Sequence, residues 1–187
     1  MRKLKLQIQV SIDGFAAGPN SEHDWVFLAG PDEAAFQKIF DLAESSDTIL
    51  GGRKMMLDFP GHWENVVDTQ PESSWHPFAQ MMVNHRKVVF SRTENSIPGR
   101  NLKVENGDLA TAVQALKEEP GKDILVYGGV NFVSSLISLN LIDEYYIINC
   151  PIALGAGYSI FKERKILKLE HSITYKNGKV LNKYVPV

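Results

Sequence analysis

The chain has 187 residues, of which 44% are hydrophobic and 22% are charged. This composition excludes the disordered and fibrous classes, and the length predicts one domain over residues 1–187. Lys and Arg total 20 against 22 Asp and Glu, a formal charge of -2, so no overall positive field is available to hold a nucleic-acid backbone.

The first ten residues, MRKLKLQIQV, alternate polar and apolar side chains. This pattern is typical of a strand with one solvated face, and it differs from the unbroken apolar stretch of a signal peptide. No apolar run reaches the length of a membrane-spanning helix. We therefore expect a cytoplasmic protein with neither a membrane partner nor a nucleic-acid partner.

Segments rich in Ile, Val, Leu, Phe and Tyr recur along the chain and predict strands. They span residues 4–12, 48–51, 87–90, 123–127 and 145–150. Near the end, two alternating runs flank Lys176-Asn177-Gly178, and Asn-Gly between such runs is a strong hairpin signal. The sequence therefore predicts buried strands followed by an antiparallel hairpin.

Helical patterns separate these strands. The segment PDEAAFQKIFDLAE predicts a helix that begins near Asp32 and places Phe36, Ile39 and Phe40 on one face. GDLATAVQALKEEPG, with Asp108 as its cap, predicts a second helix, and GGVNFVSSLISLN predicts a third. Because parallel strands need crossover connections, this alternation favours an α/β fold of three layers, with a mixed, mostly parallel sheet and helices on both faces.

One stretch of the chain lacks a clear period. Residues 59–74, FPGHWENVVDTQPESS, contain Gly, Pro and a cluster of small polar residues. Such a composition is typical of a connecting segment, and connecting segments lie at the surface and often carry function. The sequence therefore predicts a surface loop here.

Cysteine and histidine give little support for a metal or nucleophilic site. Cys150 is the only cysteine, and its apolar context, YYIINCPIAL, indicates a buried structural thiol. The five histidines show no spacing typical of metal ligands. We expect no internal disulfide and no metal.

Three strand ends carry glycine or small polar residues, and ligands of open α/β sheets bind outside the carboxyl ends of strands. At the first, TILGGRKMM, a strand runs into Gly51-Gly52 and a short helix that begins with Arg53 and Lys54. Amide groups at a helix start and two cations suit a phosphate group. The alternative is a tight turn followed by two solvated cations.

The other two strand ends suit other parts of a dinucleotide. At KVVFSRT, the side chains of Ser91, Arg92 and Thr93 offer two hydroxyls and a guanidinium to a ribose 2′-phosphate, which distinguishes NADP from NAD. At ILVYGGVNFVSSLI, Gly128-Gly129 lets a pyrophosphate approach the backbone. This motif is not GxGxxG, and a glycine pair that only permits a tight turn is the alternative.

The loop after the first strand, SIDGFAAGPNSEHDW, passes through small residues and ends at Trp25. Such a loop can lie over a flat ring and exclude water from it. An ordinary turn is the alternative. Trp25 is accordingly a candidate substrate contact.

Taken in chain order, these motifs resemble the dihydrofolate reductase superfamily. They are SIDGFAA, LGGRKM, VVFSRT, VYGGVNFVSSLI and LIDEYYIINCPIALGAGYSIF, within residues 4–161. The last is most similar to the riboflavin-type branch, the reductase domain at the C-terminus of the bifunctional riboflavin-biosynthesis deaminase/reductase. The resemblance implies the dihydrofolate reductase-like fold, NADPH as the cofactor, hydride transfer to a pterin- or pyrimidine-like ring, and pairing into a homodimer.

The resemblance also assigns cofactor contacts to this chain, including a glycine pair that the family often joins through a cis peptide. The implied contacts are Gly52, Arg53 and Lys54 at the adenosine phosphates, Ser91, Arg92 and Thr93 at the 2′-phosphate, Gly128, Gly129, Val130, Asn131 and Phe132 at the pyrophosphate, and Ala16 and Ala17 beside the nicotinamide.

Two positions depart from the family pattern. Dihydrofolate reductases usually have a threonine where this chain has Met55, so one hydroxyl contact to the cofactor phosphate should be missing. The folate enzymes hold the pterin with a helix carboxylate, and its nearest equivalent here is Asp32, with Glu33 as the neighbouring candidate and Phe36 as the partner aromatic. Asp32 is thus the candidate catalytic and substrate-binding residue, although an acid at a helix start can simply stabilise the helix dipole.

We therefore expect an NADPH-dependent reductase that acts on a small nitrogen heterocycle or on its ribosylated precursor. The first possibility is a reduction of the dihydrofolate type. The second is a reduction of the 5-amino-6-(5-phosphoribosylamino)uracil type, in which a ribosyl carbonyl is reduced and the folate carboxylate is not needed. The alternative class is a nucleotide-binding or regulatory protein that keeps the fold without the activity.

Overall fold

Eight strands form one sheet in the computed structural model, which describes residues 1–187. The strands are β1 (Leu4–Ser11), β2 (Ser46–Gly52), β3 (Arg86–Phe90), β4 (Leu102–Glu105), β5 (Asp123–Val126), β6 (Glu144–Cys150), β7 (Leu167–Thr174) and β8 (Val180–Pro186). Their order across the sheet is β4-β3-β2-β5-β1-β6-β8-β7. The first six strands in this order pair in parallel, and β8 is antiparallel to both β6 and β7. The predicted mixed sheet with a C-terminal hairpin is confirmed.

Two of the helices begin at an aspartate that caps them. The helices are α1 (Glu33–Glu44), α2 (Arg53–Met56), α3 (Phe59–Thr69), α4 (His76–Asn84), α5 (Leu109–Glu118) and α6 (Val130–Ser138), with a 3₁₀ helix at Asp24–Phe27. The Asp32 carboxylate accepts a hydrogen bond from the Ala35 N–H at 3.0 Å, and Asp108 accepts one from Thr111 at 2.9 Å. Each bond satisfies an N–H group that the first helical turn leaves without a partner.

The core lies on both faces of the sheet. Alternate residues of β1, such as Leu6 and Ile8, pack on one face against α5 and α6. On the other face, Ile49 of β2 and Leu125 of β5 pack against α1 and α4. This arrangement confirms the three predicted layers.

The predicted loop over residues 59–74 is wrong, because most of it is the helix α3. Phe59, Trp63 and Val66 recur at helical spacing and form the apolar stripe that packs toward α4. Pro60 lies in the first turn, where a missing N–H group costs nothing. The Gly and Pro residues therefore led to a loop prediction for a segment that packing makes helical.

Helix α4, strand β4 and the 3₁₀ helix have no counterpart among the predictions. Helix α4 begins with a proline in its first turn, like α3. Strand β4 is a four-residue edge strand that pairs in parallel with β3. So short an edge strand has little periodicity of its own, and its pairing with β3 makes it a strand.

Candidate functional site

The three glycine and hydroxyl motifs lie at the carboxyl ends of the adjacent strands β3, β2 and β5. Strand β2 pairs with β3 on one side and with β5 on the other, in register up to Gly52 opposite Phe90. The ring of Phe132 stacks on that of Phe90 with centroids 5.4 Å apart. A Cβ atom on Gly52 would lie 2.8 Å from the Cβ of Phe132. Phe132 thus joins the ends of all three strands.

The glycine pair leads directly into α6. Gly129 is the N-cap residue and has a φ of +83°, a left-handed conformation that favours glycine. No side chain caps this helix, so the backbone N–H groups of Val130, Asn131 and Phe132 have no partner within it. These donors at the start of a helix fit a pyrophosphate, beside a half-buried Gly129 and a buried Gly128. The structure has no cis peptide bond, so the Gly128–Gly129 peptide differs from the family's common form.

The cations after β2 are accompanied by an acid that the sequence interpretation missed. Helix α2 is a single turn, so Arg53 and Lys54 contribute charge, and the predicted helix-start donors do not apply here. A guanidinium nitrogen of Arg53 lies 4.0 Å from a carboxylate oxygen of Glu94. Glu94 directly follows the SRT motif. An acid next to a predicted phosphate contact was the sequence signal that could have identified it. A 2′-phosphate here would meet one carboxylate among the cations.

The segment after β3 is a tight turn that its own side chains organise. The Ser91 hydroxyl oxygen accepts hydrogen bonds from the N–H groups of Thr93 and Glu94, at 3.2 and 2.9 Å. The side-chain amide of Asn106 donates to the carbonyl oxygens of Ser91 and Glu94, each at 2.8 Å. The Ser91 hydroxyl still has its proton to donate. The side chains of Arg92 and Thr93 are exposed beside it.

The loop after β1 is held against the segment that follows β6. The Ala16 N–H donates to the Tyr158 carbonyl at 2.9 Å, and the Tyr158 N–H donates to Ala17 at 2.8 Å. The Asp13 carboxylate accepts from the Leu154 and Gly155 N–H groups. Hydrogen bonds from the Ser11 hydroxyl and these N–H groups lower the pKa of Asp13. The predicted nicotinamide contacts Ala16 and Ala17 therefore lie in a fixed β-bridge.

The predicted substrate residues Trp25 and Phe36 belong to different side-chain clusters. Trp25 is 4% exposed, packs with Cys150, and donates its indole N–H to the Glu22 carbonyl at 3.2 Å. Phe36 of α1 packs edge-to-face on Trp75, with centroids 4.6 Å apart. The structure therefore does not bring these two rings together. Cys150 is buried, and burial raises the pKa of its thiol, consistent with a structural role.

Asp32 has structural partners on both carboxylate oxygens. One oxygen caps α1, and the other accepts from the Asn177 N–H at 3.3 Å in the turn between β7 and β8. The hydrogen bond from the Ala35 N–H is the main cause that lowers the pKa of Asp32. An ionised carboxylate offers about four lone-pair positions, so these bonds leave capacity for a further donor.

Tyr127 is a second residue that the sequence interpretation missed. It lies between β5 and the glycine pair, and its ring packs on Phe59 with centroids 6.0 Å apart. Burial raises the pKa of its phenol, so the group stays neutral and can donate a hydrogen bond. The aromatic letter immediately before the glycine pair in VYGG was the signal for it.

The structure contains neither a cluster of metal-binding side chains nor a helix suited to spanning a membrane. No group of three or more His, Cys, Asp or Glu side chains is arranged to hold a metal ion. None of the helices has both the length and the apolar character needed to cross a bilayer. The groups at the three strand ends are backbone amides, cations and aromatic rings.

Known proteins are similar to this chain in sequence or in fold. The family model of the RibD C-terminal domain matches residues 2–181. The uncharacterized protein YyaP of Bacillus subtilis (strain 168) is 35% identical over 185 residues, which cover 96% of this chain and 92% of YyaP. A crystal structure of a protein from Shewanella sp. PV-4 superposes with a TM-score of 0.75 at 19% identity, covering 100% of this chain and 99% of the other.

A larger structural relative contains the fold as one part. It is the diaminohydroxyphosphoribosylaminopyrimidine deaminase/5-amino-6-(5-phosphoribosylamino)uracil reductase of Thermotoga maritima, with a TM-score of 0.67 and 15% identity. The match covers 100% of this chain and 57% of that protein. Identity this low supports the fold, and the family follows from the match over nearly the whole sequence. The chain belongs to the RibD C-terminal domain family, a reductase-like family with the dihydrofolate reductase-like fold.

Proposed function

We propose that the chain binds NADPH across the carboxyl ends of β2, β3 and β5 and reduces a pterin- or pyrimidine-like small molecule. The observation that carries the proposal is the position of Phe132, which packs on both Gly52 and Phe90. Because of it, the strand ends that carry the predicted phosphate, 2′-phosphate and pyrophosphate contacts are neighbours, which supports a single cofactor site. Family membership supports a reductase-like role for this surface.

The proposed contacts divide the cofactor between them. The free N–H groups at the start of α6 hold the pyrophosphate, beside Gly128 and Gly129. Gly52, Arg53 and Lys54 border the adenosine phosphates, and Arg92 supplies charge for the 2′-phosphate, with hydroxyls from Ser91 and Thr93. Ala16 and Ala17 border the nicotinamide. When bound, NADPH supplies the hydride, and the chain orients the two reactants and excludes water.

The substrate stays a choice between two reductions. In the first, a dihydropterin-like ring accepts hydride, and Asp32 anchors it beside Phe36. In the second, the ribosyl carbonyl of an aminopyrimidine phosphate is reduced. Membership of the RibD C-terminal domain family favours the second reaction, and the Asp32 oxygens already engaged with Ala35 and Asn177 also favour a site that does not depend on that carboxylate.

Calorimetric titration and an oxidation assay test this proposal. The purified chain should bind NADPH more tightly than NADH, and NADPH absorbance should fall when the correct substrate is added. Dihydrofolate and 5-amino-6-(5-phosphoribosylamino)uracil are compared under the same conditions. NADPH binding without turnover of either compound would favour the nucleotide-binding or regulatory alternative. Absence of NADPH binding would contradict the proposal itself.

A cytoplasmic homodimer is the proposed state of the protein. Strand β7 is an edge strand with an unpaired side, and it carries Leu169, half exposed, next to Ile166, 72% exposed. An edge strand whose outer backbone groups are unpaired, with two exposed apolar side chains beside it, favours pairing with another chain. Light scattering after size exclusion should give twice the monomer mass, and Leu169→Lys should shift the protein toward the monomer. A monomeric wild-type protein at micromolar concentration would contradict pairing.

A further inference from the structure

Asn106 lies directly after β4, and its side chain reaches the turn that follows β3. We call residues 91–94 the SRTE turn, after their sequence. The side-chain amide of Asn106 donates hydrogen bonds to the carbonyl oxygens of Ser91 and Glu94, each at 2.8 Å. Because both partners are acceptors, the NH₂ group of the amide faces them, with one proton for each. A side chain from the neighbouring strand thus joins the first and last residues of the turn.

Further hydrogen bonds hold the SRTE turn from within and at its start. The Ser91 hydroxyl oxygen accepts from the N–H groups of Thr93 and Glu94, at 3.2 and 2.9 Å. The Ser91 N–H donates to the carbonyl oxygen of Glu105, the last residue of β4, at 3.1 Å. These bonds leave the hydroxyl proton of Ser91 free to donate. The main chain of the turn is therefore fixed by its own serine and by the end of β4.

The main chain of the SRTE turn determines where its charged and hydroxyl side chains begin. Arg92 and Thr93 are exposed at the centre of the turn, so little packing guides their direction. Glu94 closes the turn, and its carboxylate lies 4.0 Å from the guanidinium of Arg53. Charge-assisted hydrogen bonds to a phosphate form at about 2.7–2.9 Å, so a shift of the turn by about 1 Å would break them. The bonds from Asn106 therefore act on phosphate contacts that Asn106 does not itself make.

We propose that Asn106 is a positioning residue for nucleotide selection. Its amide fixes the SRTE turn in the form that recognises a ribose 2′-phosphate, and it thereby determines the preference for NADPH over NADH. The inference deepens the proposed function and rests on it for the bound nucleotide. NADH has no 2′-phosphate, so its binding gains nothing from an ordered turn. The specificity of the site thus depends on a residue outside the three strand-end motifs.

Calorimetry with four nucleotides tests this role of Asn106. The nucleotides are NADPH, NADH, adenosine 2′,5′-bisphosphate and adenosine 5′-monophosphate. Asn106→Ala should weaken the binding of NADPH and of the bisphosphate about tenfold, and it should leave NADH and the monophosphate within about twofold. Asn106→Asp keeps the shape of the side chain but has no N–H group to donate, so it should not restore the preference. Hydrogen exchange of the Thr93 and Glu94 N–H groups should be faster in Asn106→Ala.

Asn101 supplies the matched control at the opposite end of β4. Its side-chain amide donates to the carbonyl oxygens of Val83 and Asn84, at 3.1 and 3.4 Å, before β3 begins. Its φ of +53° suits glycine, so Asn101→Gly removes a similar pair of bonds without backbone strain. This variant does not alter the SRTE turn, and the preference for NADPH should therefore stay unchanged.

Three outcomes separate this inference from the proposed function. A chain that binds NADPH and keeps its full preference over NADH in Asn106→Ala would overturn the inference and leave the proposed function standing. Equal losses of NADPH and NADH binding in Asn106→Ala would also overturn it, because they would show a purely structural role. A chain whose preference depends on Asn106 but that reduces no substrate would support the inference and contradict the reductase activity alone.

Discussion

Gly52 and Phe132 approach so closely that no side chain fits between them. A Cβ atom at position 52 would lie 2.8 Å from the Phe132 Cβ and 3.3 Å from its Cγ. The two residues are 80 positions apart in sequence, at the end of β2 and in the first turn of α6. Their contact couples the predicted phosphate residues to the predicted pyrophosphate residues, and it makes position 52 sensitive to substitution.

Gly52→Ala should destabilise the chain and weaken NADPH binding together. The added methyl group would overlap the side chain of Phe132, so the start of α6 must shift. Overpacking of this kind costs about 1–3 kcal/mol. Urea denaturation measures the free energy of unfolding, and calorimetry measures the cofactor affinity. Unchanged stability would show that α6 moves freely relative to β2.

Gly128→Ala is the matched variant for the same experiment. A Cβ atom there would lie 3.6 Å from the Met55 sulfur, an ordinary contact, so stability should change by less than about 0.5 kcal/mol. If the pyrophosphate approaches this backbone as proposed, NADPH affinity should still fall about tenfold, the equivalent of about 1.4 kcal/mol. Retention of full affinity would remove Gly128 from the site.

Glu94→Gln should strengthen NADPH binding about threefold to tenfold and leave NADH binding nearly unchanged. The carboxylate lies 4.0 Å from Arg53, so removing its charge frees the guanidinium and reduces repulsion of a 2′-phosphate. The gain should shrink in high salt, because exposed charges are screened. Glu72→Gln, an exposed acid outside the proposed site, controls for net charge. Equal gains for NADH and NADPH would contradict this account.

Asp32→Asn separates the cap from substrate binding. Asparagine caps helices as well as aspartate, so the thermal midpoint should stay close to that of the wild type, whereas Asp32→Ala should lower it. If the carboxylate anchors a pterin-like ring, Asp32→Asn should lower kcat/KM at least tenfold and leave the Kd for NADPH within about twofold. Full activity in the asparagine variant would leave Asp32 as a helix cap that also holds Asn177.

Glu144 makes stability depend on pH on the acid side. Burial alone would raise its pKa, but hydrogen bonds from Lys3, Tyr146 and Lys183 outweigh this and lower the pKa to about 2 from 4.5. The stabilisation is therefore complete above the unfolded value of 4.5, and it is lost as pH falls toward 2.

The free energy of unfolding of the Glu144→Gln variant should fall less steeply at acid pH than that of the wild type. At neutral pH we expect it to be less stable by about 1–3 kcal/mol, because both lysines lose a buried partner. Urea denaturation at several values between about pH 3 and 7 measures the difference. Parallel curves for the two proteins would show that other carboxyl groups cause the acid dependence.

Most of the sheet and the helix starts could be predicted from local signals. Asp32 and Asp108 predict helix starts, because a short acceptor side chain can accept a hydrogen bond from an N–H group of the first helical turn. Asn177-Gly178 predicts a hairpin. The resemblance then supplied the order of the motifs. Helix α3 was not predicted, because Pro60 and Gly61 have loop-like propensities that packing against α4 overrides.

The sequence by itself determined where the chain turns and which strands are buried, because propensity, capping and turn chemistry act over a few residues. Only the tertiary structure decided which strand ends become neighbours. That order brought Glu94 to Arg53, Phe132 to Gly52, and Tyr127 to the rings of α3. Such contacts depend on the arrangement of strands in the sheet, and no local rule acts between residues that lie tens of positions apart.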